Sequence, residues 1–193
     1  MNRLKAKVAV VTGASKGIGA AIAEHLAAEG AGVVVNYSSS KAGADAVVKR
    51  IMEKDGRAVA VQADVSKPDD IRRLFAETKK VFGKLDILVN NAGLYEFAPL
   101  AEITPDHFHK HFNLNVLGLL LVTQEAVKHM GPTGGSIINL SSVATSINIP
   151  NTAVYTGKNF MLNVAAKFVL GGIGLRSFSV HKTREQALEA LRS

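Results

Sequence analysis

The chain has no cysteine among its 193 residues, which excludes disulfides and thiolate metal sites and is compatible with a reducing cytosol. It also lacks any uninterrupted apolar run of the roughly 18 residues that a membrane-spanning helix needs. Met1 to Lys7 carries charge with no apolar stretch behind it before the glycine turn, so the protein is expected to be cytoplasmic and untargeted, with no membrane partner. Proline is scarce, and the last of the five is Pro150. Acidic residues fall short of basic ones by a net +7, but unevenly: residues 1–150 hold 17 Lys and Arg against 14 Asp and Glu, while 151–193 hold six against two. No basic stripe interleaved with aromatics accompanies that surplus, so no nucleic-acid partner is expected. A chain of this length buries roughly 70% of its unfolded surface, enough for one domain with a real core.

What is present is organised around the first thirty-eight residues. Lys7 to Thr12 is a valine-rich run that enters Gly13-Ala14-Ser15-Lys16-Gly17-Ile18-Gly19 and then an alanine-rich stretch with Ile18, Ile22 and Leu26 at helical spacing, closed by Gly30. This predicts strand, glycine turn and helix. Gly13 permits the tight turn, Gly17 lets backbone approach an anion, and Gly19 brings helix and strand together. The free N–H groups at the helix start then suit a pyrophosphate.

The same alternation continues. Apolar runs at Gly32 to Asn36, Ala58 to Gln62, Leu85 to Val89 and Ser136 to Leu140 predict four more strands. Between them, helices are expected after Ser38-Ser39-Ser40, from Ser66-Lys67-Pro68-Asp69, and as one long helix from Thr104-Pro105 to Met130, closed by Gly131. Unbroken apolar strands alternating with helices imply an α/β fold: a doubly wound parallel sheet in three α/β/α layers, with ligands at the carboxyl ends of its strands.

Five ordered motifs carry a resemblance. Thr12 to Gly19 reads TGASKGIG, Asp64-Val65 follows the third strand, Asn90 to Gly93 reads NNAG, Asn115 lies in the long helix, and Ser142 precedes Tyr155 by thirteen positions. Together they resemble the short-chain dehydrogenase/reductase family over residues 1–158, with 3-oxoacyl-[acyl-carrier-protein] reductases and glucose 1-dehydrogenases nearest in pattern. The resemblance implies a single Rossmann domain over 1–193, strand order 3-2-1-4-5 with incomplete C-terminal strands, and an atypical tail at 159–193. It implies hydride transfer between a carbonyl and a secondary alcohol, with Tyr155 as proton donor or acceptor. Lys158 then supplies the cation that stabilises the phenolate and holds the nicotinamide ribose, Ser142 binds the substrate oxygen, and Asn115 keeps a water in the proton relay. A phenol of pKa about 10 needs such a cation to act near neutrality.

The end of the second strand bears on the cofactor. Family members that prefer NAD place an acid there for the ribose 2′-OH, whereas this chain has Asn36, Tyr37 and Ser38, with Lys16 in the glycine turn and no acid before Asp45. NADP(H) is therefore expected, with Gly13, Ser15, Lys16, Gly17, Ile18 and Gly19 around its phosphates. Asp64 and Val65 would lie against the adenine, and Asn91, Ala92 and Gly93 beside the adenosine and ribose. The family also implies a homodimer, or a tetramer, built on the long helix.

His107 and His111 lie four apart and could share a helix face as metal ligands. Phe108 and Phe112 are read as that helix's buried face, so the histidines are expected to point outward and no metal is expected.

Two features depart from the family pattern. Tyr155-Thr156-Gly157-Lys158 is YxxK rather than YxxxK, which swings Lys158 about 100° around a helix from its usual place. Beyond it there is no Pro-Gly motif, although Leu175 to Val180 could imitate a sixth strand and Thr183 to Arg192 a short helix. Either a deletion with a change of reading frame near codon 157 or a diverged, shortened member accounts for both. The alternative function is then a truncated, catalytically impaired dinucleotide-binding protein that acts at most as an oligomer partner.

Overall fold

A computed structural model of the chain describes residues 3–132, 134–142, 149–159 and 161, together with the backbone of 178–181. The elements form where the apolar runs predict them. Val8–Val11 (β1) is followed by Gly17–Ala28 (α1), Gly32–Tyr37 (β2), Lys41–Met52 (α2), Arg57–Gln62 (β3), Pro68–Phe82 (α3) and Ile87–Asn90 (β4). Pro105–Phe112 (α4), Leu119–His129 (α5), Ser136–Leu140 (β5) and Phe178–His181 (β6) complete the named elements, and residues 153–159 are helical (α6). The strands lie in the order β3-β2-β1-β4-β5-β6, every pair parallel. The order 3-2-1-4-5 is as expected. A sixth strand is added at Phe178–His181, with Phe178 opposite Ile137, while the helix expected at Thr183 to Arg192 lies outside the described residues.

Because successive strand residues face opposite sides, the strands divide their side chains between two cores. Ala9, Val11, Val33 and Val35 pack with Ile22 and Leu26 of α1 and with Val47 and Ile51 of α2. Val10, Val34, Leu88 and Ile137 pack with Ile71, Leu74 and Phe75 of α3 and Val122 of α5 on the opposite side. Helix ends follow local chemistry. Gly30 takes φ +96° beyond the end of α1, and Thr104 caps α4 by accepting the His107 N–H at 3.1 Å, with Pro105 in the first turn. Ser40 and Lys67 precede α2 and α3 without a side-chain cap. Ser66 instead donates both its N–H and its hydroxyl to Asp64 Oδ1.

Two expectations are corrected. The long helix from Thr104 to Met130 is interrupted by a π-helical turn at Asn113–Gly118. Asn115 Nδ2 donates to the His111 carbonyl at 2.9 Å, so a side chain takes up the i−4 acceptor that an α-helix reserves for its backbone, and a wider turn accommodates it. The buried face of α4 is also rotated by about one residue, roughly 100°, from the expected one. His111 is completely buried while Phe108 is 40% exposed, and Phe108 stacks on Phe112 with ring centroids 4.1 Å apart. The inner stripe is His107, His111 and Asn115, at steps of four residues, and Asn115 is anchored to the loop after β4.

Polar residues also lie within the apolar sheet. Asn90 and Asn139 are register partners on β4 and β5, and Asn90 Nδ2 donates to Asn139 Oδ1 at 2.8 Å and to Thr123 Oγ1 of α5 at 3.0 Å, all three residues being buried. Asn90→Ala leaves both partners buried without that donor and is expected to lower stability by about 2 kcal/mol. Urea unfolding measures this, and an unchanged midpoint would show that the amide does not tie α5 to the sheet.

Candidate active site

The predicted site residues all lie at the carboxyl ends of the strands or on the elements that follow them. Gly13 to Gly19 form the turn after β1 and the start of α1, Asn36 to Ser38 end β2, and Asp64 and Val65 follow β3. Asn91 to Gly93 follow β4, Asn115 is in the π turn, Ser142 lies two residues past β5, and Tyr155 and Lys158 are on α6.

The glycine turn is held from both sides. From β2, Asn36 Oδ1 accepts the Gly13 N–H at 3.1 Å and the Asn36 carbonyl accepts the Ala14 N–H at 2.7 Å. From β4, Asn91 Nδ2 donates to the carbonyls of Thr12 and Gly13 at 2.8 and 3.1 Å. Thr12 Oγ1 accepts the N–H groups of Asn91 and Ala92 at 3.0 and 2.9 Å. Gly13 sits at φ +61°, and a Cβ there would lie 2.9 Å from Ala92 Cα; one on Gly19 would lie 2.7 Å from the Gly13 carbonyl oxygen. A Cβ on Gly17, at φ +58°, would meet nothing within 4 Å, so the turn is tight on its inner side and open on its outer side. That open backbone at the positive end of α1 fits a dinucleotide pyrophosphate.

These contacts give several expected cofactor ligands an internal role. Asn36 is 1% exposed and its Nδ2 donates to the carbonyls of Val61 and Ala63, so its side chain is fully engaged in joining β2, β3 and the turn. Tyr37 belongs to the core beside α1 and α2. Ser38 and Lys16 remain exposed, and a Cβ on Gly43 would lie 2.7 Å from Ser40 Oγ and 2.8 Å from the Ser15 carbonyl, so the start of α2 borders the turn. The first acid after β2, Asp45, is paired with Lys41 at 2.6 Å. The surroundings of Ser38 therefore suit a 2′-phosphate better than a 2′-hydroxyl. Asn115 is likewise engaged: Oδ1 accepts the Leu94 N–H at 2.9 Å, and Nδ2 donates to the carbonyls of Leu94 and His111. Its amide positions the loop after β4, with both Nδ2 donors used and one bond accepted at Oδ1.

Tyr155 and Lys158 meet despite their short spacing. Lys158 is 4% exposed, and its ammonium lies over the Tyr155 ring, 4.4 Å from the centroid. Thr152 opens α6: its carbonyl accepts the Thr156 N–H at 2.7 Å, and its hydroxyl donates to the Ile149 carbonyl. Asn159 Nδ2 donates to the Tyr155 carbonyl at 2.9 Å. Phe97, on the loop after β4, packs edge-on against Tyr155 at 5.6 Å between centroids. Thr12 and Phe97 were not singled out from sequence. Thr12 heads the glycine motif and offers that signal, whereas Phe97 offers none.

The sequence matches the short chain dehydrogenase family over residues 7–167. The chain belongs to that family. An uncharacterized oxidoreductase of Methylorubrum extorquens is 54% identical over 181 residues, covering 94% of this chain and 73% of that protein. A short chain dehydrogenase from Burkholderia cenocepacia, crystallised in complex with NADP, is similar at 38% identity and TM-score 0.86, over 93% of this chain and 73% of that one. The landomycin C-6 ketoreductase LanV, with bound NADP and rabelomycin, is similar at 37% identity and TM-score 0.84, over 90% and 73%. This short-chain dehydrogenase is accordingly an oxidoreductase of the carbonyl–alcohol class. Among its described residues no helix is long and apolar enough to cross a membrane.

Burial lowers the pKa of Lys158 to about 8, well below that of an ordinary lysine. The unfolded chain therefore holds the extra proton between pH 8 and about 10.5, and the side chain's contribution to stability rises with pH across that window. Thermal melts of the protein and of Lys158→Met should diverge there, the parent gaining relative to the variant. Parallel curves would place the lysine in water.

Proposed function

We propose that this short-chain dehydrogenase uses NADPH to reduce a ketone carried on a flat, apolar ring system. The observation that carries the reading is the setting of Tyr155: an ammonium 4.4 Å from its ring centroid, Phe97 edge-on at 5.6 Å, and a cavity of about 350 Å³ alongside. That cavity is lined by Ala98, Leu100, Ile149, Asn151, Thr152 and Thr156 among others, with Tyr95 73% and Phe97 55% exposed on the same loop as Ala98. The hydroxyls of Thr152 and Thr156 lie 3.1 Å apart and Thr152 also donates to Ile149, so they are poor partners for a polyhydroxylated sugar. An aromatic ketone stacks on such a wall, and the likeness to an NADP-bound ketoreductase supports the same direction.

In this reading the Tyr155 hydroxyl gives its proton to the carbonyl oxygen, and Ser142 holds that oxygen with a hydrogen bond. The Lys158 ammonium favours the phenolate left behind, because opposite charges in a desolvated site attract strongly. NADPH would supply the hydride to the carbonyl carbon. Ser15, Gly17 and Ile18 would hold its phosphates, Ser38 and Lys16 its 2′-phosphate, and Asp64, Val65, Ala92 and Gly93 its adenosine. Phe108 and Leu117, both exposed on the segment from α4 to α5, would be available to a second copy of the chain.

NADPH oxidation is to be followed with a bicyclic aromatic ketone, a 3-oxoacyl thioester and an aldose. The aromatic ketone should show the highest kcat/KM, and Tyr155→Phe should lower kcat by about 10²–10⁴-fold with NADPH binding retained. A better thioester or aldose would overturn the substrate class. The position of Lys158 over the ring also favours a second reading, an impaired dinucleotide-binding protein, and NADPH binding without turnover of any carbonyl would establish it. Ser38→Asp should shift preference from NADPH toward NADH by at least about tenfold, through repulsion of the 2′-phosphate. An unchanged ratio would remove Ser38 from the cofactor site.

A further inference from the structure

Glu96, His107 and His111 converge outside the hydride-transfer machinery. Each offers one ligand atom, and the three atoms lie within 4.8 Å of one another. The two histidines stand one turn apart on α4, their rings nearly perpendicular at 85° with centroids 4.8 Å apart. All four of their ring nitrogens are shut off from solvent and none has a hydrogen-bond partner, and His111 is 0% exposed. Proteins seldom leave buried polar atoms unpaired, and a neutral imidazole with no donor to its lone pair is a ligand in waiting for a Lewis acid.

We propose that Glu96, His107 and His111 form a binding site for a divalent transition-metal ion, with zinc the best match. Two imidazoles and one carboxylate form a donor set that Zn²⁺ accepts in four-coordinate sites whose last position is filled by water. Zinc bonds of about 2.0–2.2 Å require ligand atoms closer together than 4.8 Å, so the site contracts on the ion. Glu96 supplies the movement: it is exposed on the loop after β4 and held by Lys110 at 2.6 Å through Oε1. Lys110 competes for Glu96, and the Lys158 charge acts on His111, so both lysines oppose the ion and limit its affinity. Binding joins the loop after β4 to α4, and that loop carries Phe97, the neighbour of Tyr155. The ion thereby fixes one wall beside the reacting tyrosine without contacting it.

The test is titration of the full chain, stripped by a chelator, with Co²⁺ and then Zn²⁺. The expected result is a visible Co²⁺ absorption of a four-coordinate nitrogen and oxygen site that saturates at one equivalent and is displaced by Zn²⁺. His107→Gln and Glu96→Gln should each weaken Zn²⁺ binding by at least about tenfold, since even the loss of an outer-shell partner commonly costs 10–100-fold. His109→Gln, an exposed neighbour on the same helix, should bind as the parent does. Circular dichroism of each variant establishes that it is folded, and the fully buried His111 is left intact for that reason. Absence of the cobalt band and of any Zn²⁺ heat overturns the proposal. So does binding undiminished in both His107→Gln and Glu96→Gln, which would place the ion at another histidine.

Discussion

The structure depends on the lacing of the first glycine turn by side chains from the strands on either side of β1. An anion site made of backbone N–H groups works only if those groups are held outward before the anion arrives. Glycine at φ +61° and +58° makes that conformation accessible, but it also leaves the unfolded turn unusually free. Asn36 removes that freedom from the β2 side and Asn91 with Thr12 from the β4 side, through bonds of 2.7–3.1 Å. The carboxyl ends of three parallel strands are thus tied together at the place where a dinucleotide would cross them.

A second tie runs from Asn115. By taking the His111 carbonyl from the backbone ladder and gripping both polar groups of Leu94, it converts a turn of α-helix into a π turn and fastens the loop after β4 to it. The interruption sets which residues of α4 face inward. His111 and His107 lie behind Asn115 at four-residue steps, so these two histidines are carried inward while Phe108 reaches the surface and Phe112 is half-buried.

This explains which parts of the molecule were legible in the sequence. The fold was legible because its signal is redundant: each strand is an apolar run, each helix has its own period, and a parallel sheet satisfies both together. The positions of the site residues were legible because strand ends can be counted. Their side-chain roles were harder to read. Asn36 and Asn91 look like cofactor ligands in sequence, yet an amide can satisfy a neighbouring backbone as well as a ribose, and only the geometry tells which. The face of α4 was misread because aromatic rings were weighed as core, when hydropathy says nothing about a buried amide that fixes the helix's rotation from one turn further on. Asn139 was legible in principle, as a polar residue inside an otherwise apolar strand, and its partner Asn90 is the same anomaly one strand away.

The tyrosine–lysine pair shows what a spacing one residue shorter than the family pattern changes. At i+4 the lysine lies about 40° around the helix from the tyrosine, and at i+3 about 60° on the other side. A rigid side chain would lose the partner altogether. Lysine has four methylenes, and in this chain they carry the ammonium back across the ring face of Tyr155. The electrostatic effect of a cation on a developing phenolate depends on distance and local dielectric more than on approach direction. A hydrogen bond to a ribose hydroxyl does depend on direction. In the mechanism proposed above, the shortened spacing would separate two roles that one lysine fills in the family pattern: the electrostatic support of the tyrosine would be kept and the hold on the ribose weakened, so the change is expected to fall more on cofactor binding than on proton transfer.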